Sequence, residues 1–189
     1  MIPTREDAFN LLKKYNSNDS LLKHGLAVES TMRHFAKKFG EDEDKWGIVG
    51  LLHDLDYGMY PENHCYKAKE IMEENGYPKE YVRAMMSHAY GICTDVEPLT
   101  LMEKTLYAVD ELTGLVTACV YVRPSKSILD LTPKSVRKKW KQKSFAAGVN
   151  RETIEKGAMM INMDINELIA EVIEGMKKDA KSLGLKGEL

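Results

Sequence analysis

Cysteine is scarce in this chain of 189 residues: Cys65, Cys93 and Cys119 stand far apart, and no CxxC occurs. Such usage excludes a disulfide framework and a zinc knuckle and predicts reduced thiols. Long apolar runs are missing, since none approaches the ~18 residues that suggest a membrane span. Excess charge of either sign is missing too, with 27 Lys and Arg against 29 Asp and Glu and a net charge of −2. That balance gives no global attraction to nucleic acid or to an anionic bilayer, so no membrane association and no specific nucleic-acid binding are expected. The opening Met1-Ile2-Pro3-Thr4-Arg5-Glu6-Asp7 lacks a basic segment followed by an apolar one, which predicts no signal peptide and a cytoplasmic location. Internal repeats, low-complexity linkers and clean strand alternation are also absent. What is present, 43% hydrophobic and 30% charged residues, suits one substantial core.

The hydrophobic period is helical nearly throughout. Thr4 can cap a first helix to about Lys14, and Asn18 or Asp19 opens a second that Gly40 closes after Phe39. A third spans about Asp42 to Leu55. Asn63 is expected to cap a fourth, stopped by Asn75-Gly76, and Pro78 begins a fifth that ends around His88. Pro98 starts a long helix to about Val122, before Arg123-Pro124. Shorter pieces follow at Pro133 to Lys143 and Arg151 to Asn162, then an amphipathic helix from Asp164 to about Leu183. The reading is an all-α bundle over residues 1–124, with residues 125–189 a helical extension packed on the same domain.

The most informative positions are His53 and Asp54, adjacent at the end of the apolar run Gly47-Ile48-Val49-Gly50-Leu51-Leu52. A buried, unpartnered carboxylate costs several kcal/mol or more. A divalent cation compensates both side chains at once. Helical neighbours extend the set. His24 shares a stripe with Val28, Met32 and Phe35, His64 with Ala68, Ile71 and Met72, His88 with Tyr81, Ala84 and Met85, and Asp110 with Leu106, Tyr107 and Gly114. Four of the five histidines and two aspartates therefore point inward. Left uncompensated, they would cost more than the ~5–15 kcal/mol stability of a typical domain. His34, among Ser30, Lys37 and Lys38, reads as a solvated control with no role.

The ordered set His24, His53-Asp54, His64, His88, Asp110 resembles the HD-domain metal-dependent phosphohydrolase superfamily over roughly residues 20–122, and Leu51-Leu52-His53-Asp54-Leu55-Asp56-Tyr57-Gly58 looks like its HDIG signature. The resemblance implies an all-helical fold in which His24, His53, Asp54 and Asp110 hold a first metal. It implies that His64 and His88 hold a second, bridged by Asp54. One or two divalent transition-metal ions (Fe, Mn, Ni, Co or Zn) are expected, two in preference. The short Asn75-Gly76-Tyr77-Pro78 turn supports this, because it would bring His64, opening one helix, beside His88, closing the next. Two departures stand out. Tyr57 and Gly58 occupy positions where some HD nucleotide hydrolases carry an acidic catalytic residue, and Met59-Tyr60 follow where Lys is frequent. Asp56, one residue nearer, is expected to solvate the helix end.

The implied activity is hydrolysis of a nucleotide or another small phosphoester by metal-activated water, with Asp54 central. Cations must then hold the remaining phosphate oxygens. Lys23, beside the first ligand, is assigned a catalytic part. Arg123, Lys126 and Lys139 are assigned to substrate, the last within the cluster Arg137, Lys138, Lys139, Lys141 and Lys143. A di-iron oxygenase of the same six-ligand pattern is the alternative. A non-catalytic HD signalling module ranks third, since such modules usually lose ligands and this chain keeps all six.

Overall fold

The computed structural model describes residues 2–188 and is all-α. Among the described residues there are nine α-helices, one short 3₁₀ turn at Pro61–Asn63 and no sheet, only an isolated bridge between Tyr90 and Thr94. None of these helices is long and apolar enough to cross a membrane.

Helix α1 (Arg5–Tyr15) starts at a capping box in which Thr4 and Asp7 satisfy each other's backbone N–H. Helix α2 (Asp19–Phe39) is capped by Asn18 and buries Val28, Met32, Phe35 and Ala36 completely. Each larger side chain so buried contributes about 1.5–3 kcal/mol. Helix α3 (Glu43–Leu52) is different in kind, because Trp46 to Leu52 are buried without interruption. A helix apolar all round belongs in the middle of a core. Its C-terminal end therefore delivers His53 and Asp54 into the interior.

The chain then turns repeatedly before α4 (Tyr66–Glu74), which pairs with α5 (Lys79–Ser87). Helix α4 does not begin at Asn63 as the sequence suggests. Asn63 ends the 3₁₀ turn, and Cys65, at φ +67°, precedes the helix without a side-chain cap. Helix α6 (Leu101–Tyr121) likewise starts later than Pro98, because Thr100 and Glu103 form a capping box. Glu103 is itself buried and also bonds Arg83 and the Leu99 N–H.

Helices α7 (Pro133–Trp140), α8 (Arg151–Met160) and α9 (Ile165–Lys177) come from the extension. Ile154, Leu168, Ile169, Val172 and Met176 join the same continuous apolar core as α2 and α6. Two close approaches pin them. Ser30 Oγ donates to the Gly175 carbonyl at 2.7 Å. A Cβ at Gly157 would fall 2.5 Å from the Ala108 Cα, so α8 touches the α6 backbone directly.

Candidate metal centre

Four helices and one loop aim donors at a single point. His24 comes from the second turn of α2, His53 and Asp54 from just beyond α3, His88 from the end of α5 and Asp110 from the middle of α6. His64 comes from the loop before α4, not from a helix. Its inward position owes nothing to the stripe through Ala68 and Ile71, although the outcome is the same.

The first cluster is tight. The Nε2 atoms of His24 and His53 are 3.1 Å apart. Asp110 Oδ1 lies 3.0 Å from His24 and 3.2 Å from His53, and Asp54 Oδ2 lies 3.7 Å and 3.3 Å from the same two atoms. In the second cluster, the Nε2 atoms of His64 and His88 are 3.3 Å apart and stand 3.3 Å and 3.5 Å from Asp54 Oδ1. Asp54 thus turns one oxygen to each cluster.

The far side of each imidazole fixes its tautomer. Nδ1 of His53 donates to the Gly50 carbonyl at 2.7 Å, and Nδ1 of His88 donates to the Met85 carbonyl. His64 donates through Nδ1 to Asp56 Oδ1 at 2.7 Å. The Thr113 hydroxyl donates to the Asp110 carbonyl, which leaves its oxygen to accept from His24 Nδ1 at 3.5 Å. With Nδ1 protonated in each neutral ring, all four Nε2 lone pairs converge. Lone pairs facing lone pairs and carboxylates at such distances require a positive charge between them. Donors about 2.0–2.2 Å from one ion would stand roughly 2.8–3.6 Å apart in tetrahedral or octahedral geometry, close to the spacings found here. The residues fit a divalent ion.

The electrostatics make the same demand. Burial disfavours the charged form of His53, yet Asp54 and Asp110 outweigh it and hold the imidazole well above its usual pKa. Burial would raise both carboxyls. His53 overrides it, aided by His88 at Asp54 and by His24 at Asp110, and both are held below the carboxylate range. Without an ion, a proton is the only charge available to fill that place.

The centre opens into a cavity of about 370 Å³ lined by His24, Asp54, His64, His88 and Asp110 together with Tyr57, Ile92, Cys93, Glu111, Val149 and Thr153. Tyr57 stands edge-on to His64, centroids 5.2 Å apart. Burial first, then Asp110, pushes the Glu111 carboxyl above its usual pKa, while the Asn150 N–H donates to it at 3.2 Å.

The basic residues are placed elsewhere. Lys23 bonds Asp19 at 2.7 Å and borders a neighbouring cavity, with Tyr121 and Leu183, that shares His24 and Gly114 with the metal cavity. Arg123 grips Asp130 through two nitrogens, Lys126 is exposed, and Lys139 lies 5.0 Å over the Phe145 ring. None lines the metal cavity. The extension does reach it, but with Val149 and Thr153 in place of cations.

Three other positions depart from the sequence reading. Asp56 does not solvate a helix end: it is fully buried, accepting from His64 and, at 2.8 Å, from the Ala68 N–H. His34 is no solvated control, because it pairs with Glu171 of α9 and accepts from Lys178 at 2.9 Å. Cys65, treated only as a reduced thiol, places its sulfur within 4.8 Å of ligand atoms of His64 and His88. Asp56 carries the same signal in the sequence as Asp54, being a third ionisable residue beside an apolar run. Nothing local marks Val149 or Thr153.

The fold and site together define an all-helical protein whose buried and half-buried His and Asp groups are able to hold divalent metal. A family model described as HD domain matches residues 21–115, half of the chain, and the chain belongs to that family. Neither the curated proteins nor the solved structures gave a match.

Proposed function

We propose that this protein is a metal-dependent phosphohydrolase acting on a nucleotide or another small phosphoester, with two metal ions per chain. The observation that carries the reading is Asp54, whose Oδ2 faces His24 and His53 while Oδ1 faces His64 and His88. His24, His53, Asp54 and Asp110 would hold one ion and His64, His88 and Asp54 the other. Two ions in such a site lower the pKa of a water nucleophile and polarise a phosphoryl oxygen.

The chain's own part is to position, not to attack. The Nδ1 anchors on Gly50, Met85 and Asp56 orient the rings of His53, His88 and His64 and leave Nε2 as the ligand atom of each. Cys93 is the one thiol that lines the cavity among the described residues, and it is exposed. Tyr57 and Ile92 are half-exposed apolar groups at the rim, placed to limit water around a bound ester.

A second reading, a di-iron oxygenase, is favoured by one observation: among the described residues no Lys or Arg lines the cavity. Protein purified without chelator and loaded with Mn, Fe, Co, Ni or Zn decides between them. Release of phosphate from a phosphoester panel, abolished by chelation and by Asp54→Ala, is the expected result, with two ions in wild type and one in His64→Ala. Dioxygen uptake by the Fe(II) form without phosphate release would overturn it in favour of the oxygenase.

A further inference from the structure

The cavity leaves one negative charge unanswered, and that charge points to the other end of the substrate. The inference rests on the phosphohydrolase reading. Among the described residues, the only charged side chain lining the cavity beyond the metal ligands is Glu111. It is half-buried, and among the described residues no Lys, Arg or His lies within ion-pair distance of it. Its Oε2 accepts from the Asn150 N–H at 3.2 Å, and Oε1 has no protein partner. A carboxylate has about four acceptor positions, so most of its capacity is left for a group bound in the cavity that it lines.

The charges inside can be counted. Two divalent ions, the ligating Asp54 and Asp110, and a phosphoester dianion sum to zero. Glu111 then remains as an uncompensated anion in a partly desolvated space, which is costly unless a cation or a strong donor meets it. A second phosphate on the substrate would face a like charge, and among the described residues no Lys or Arg lines the cavity to receive it. Ile92 and Val149 line the same cavity and offer apolar contact suited to a short alkyl spacer.

We propose that Glu111 recognises an ammonium group on the substrate, so that the substrates are small zwitterionic phosphoesters carrying an amine at one end and the scissile phosphate at the other. Glu111 acts here as a specificity-determining residue. Substrates with further phosphates are disfavoured by the same charge.

Equilibrium binding to the metal-loaded protein tests this with three matched, non-hydrolysable probes: aminopropylphosphonate, butylphosphonate and carboxypropylphosphonate. The amine should bind about tenfold more tightly than the neutral probe, the order of one charge-assisted hydrogen bond, and the acid should bind more weakly than both. Glu111→Gln, which can still accept from Asn150, should bring amine and neutral probes within about twofold, consistent with losing that charge-assisted bond. Glu111→Lys should move the acid to first place. Equal affinities in wild type, absence of binding by any probe, a preference that survives Glu111→Gln, or loss of metal from Glu111→Gln would each overturn the proposal. Because the probes are not turned over, the charge preference is read separately from hydrolysis. The phosphohydrolase reading fails on its own terms if aminoalkyl phosphoesters release no phosphate from the metal-loaded protein.

Discussion

Asp56 is two residues beyond Asp54 yet touches no Nε2; it holds His64 from behind and is held in turn by the Ala68 N–H. Carboxylates in this position orient an imidazole and raise its basicity, and their loss typically costs 10–100-fold in metal affinity. Asp56→Ala should therefore lower affinity for one ion by about that factor while the His24–His53 cluster keeps its own, a difference that stepwise chelator titration with elemental analysis resolves. Equal loss of both ions would show Asp56 supporting the fold instead. Five of the six inward donors were legible because each is an ionisable residue within or at the end of an apolar helical stripe or run; His64 lies in the loop before α4, so the stripe through Ala68 and Ile71 is not what turns it inward. His34 was not legible, because what removes it from solvent is Glu171, 137 residues away. Arg123 was misplaced for a related reason: its bidentate partner Asp130 is only seven residues on, but in a turn whose course local sequence does not dictate.

At the scale of elements, the centre depends on how closely α2 and α3 approach. A Cβ on Gly50 would sit 2.9 Å from Met32 Cγ and 3.0 Å from the Val28 carbonyl oxygen, and one on Gly25 would sit 3.1 Å from the Leu51 carbonyl oxygen. The glycines let two backbones meet where His24 must reach His53. Gly50→Ala inserts a methyl group against backbone and should destabilise the protein by about 1–3 kcal/mol, the usual cost of overpacking, measured by denaturant unfolding of the metal-free form. A change under about 0.5 kcal/mol would mean that Met32 yields and the α2 backbone does not constrain the crossing. Helix boundaries with local caps were readable, as at Thr4, Asn18 and Asp164. The stretch between α3 and α4 was not. Its course is set by tertiary bonds, with Asn16 donating to the Leu55 carbonyl at 2.7 Å and accepting from the Gly58 N–H at 3.0 Å. Those bonds, more than any helical periodicity, put Asp56 and His64 where they are.

Over the whole molecule, the question is whether residues 125–189 are an attachment or part of one cooperative unit. The contacts favour the second. Helix α9 is clamped to α2 by Glu171, whose carboxyl would be raised by burial but is held below its usual pKa by Lys38 and His34. A depressed folded pKa contributes stability above the unfolded value of about 4.3 and loses it as pH falls through the folded value. Glu171→Gln should consequently melt lower than wild type at pH 7 and converge with it in acid; parallel curves at every pH would remove the clamp. The two tryptophans supply the sharper test, since Trp46 lies in α3 and Trp140 in α7, both buried. If the shared core couples them, all-or-none unfolding requires every probe to report the same transition. Single-tryptophan variants Trp46→Phe and Trp140→Phe, followed by fluorescence in urea, should each give a midpoint that coincides with that variant's own circular dichroism. Loss of the Trp140 signal at lower urea, with helical content and the Trp46 signal largely retained, would make the extension a separate unit. Val149 and Thr153 would then be a removable wall of the cavity, and substrate affinity should fall in that urea window before metal is lost. Coincident transitions tie the wall to the metal centre, so that binding at either end stabilises the whole chain by mass action.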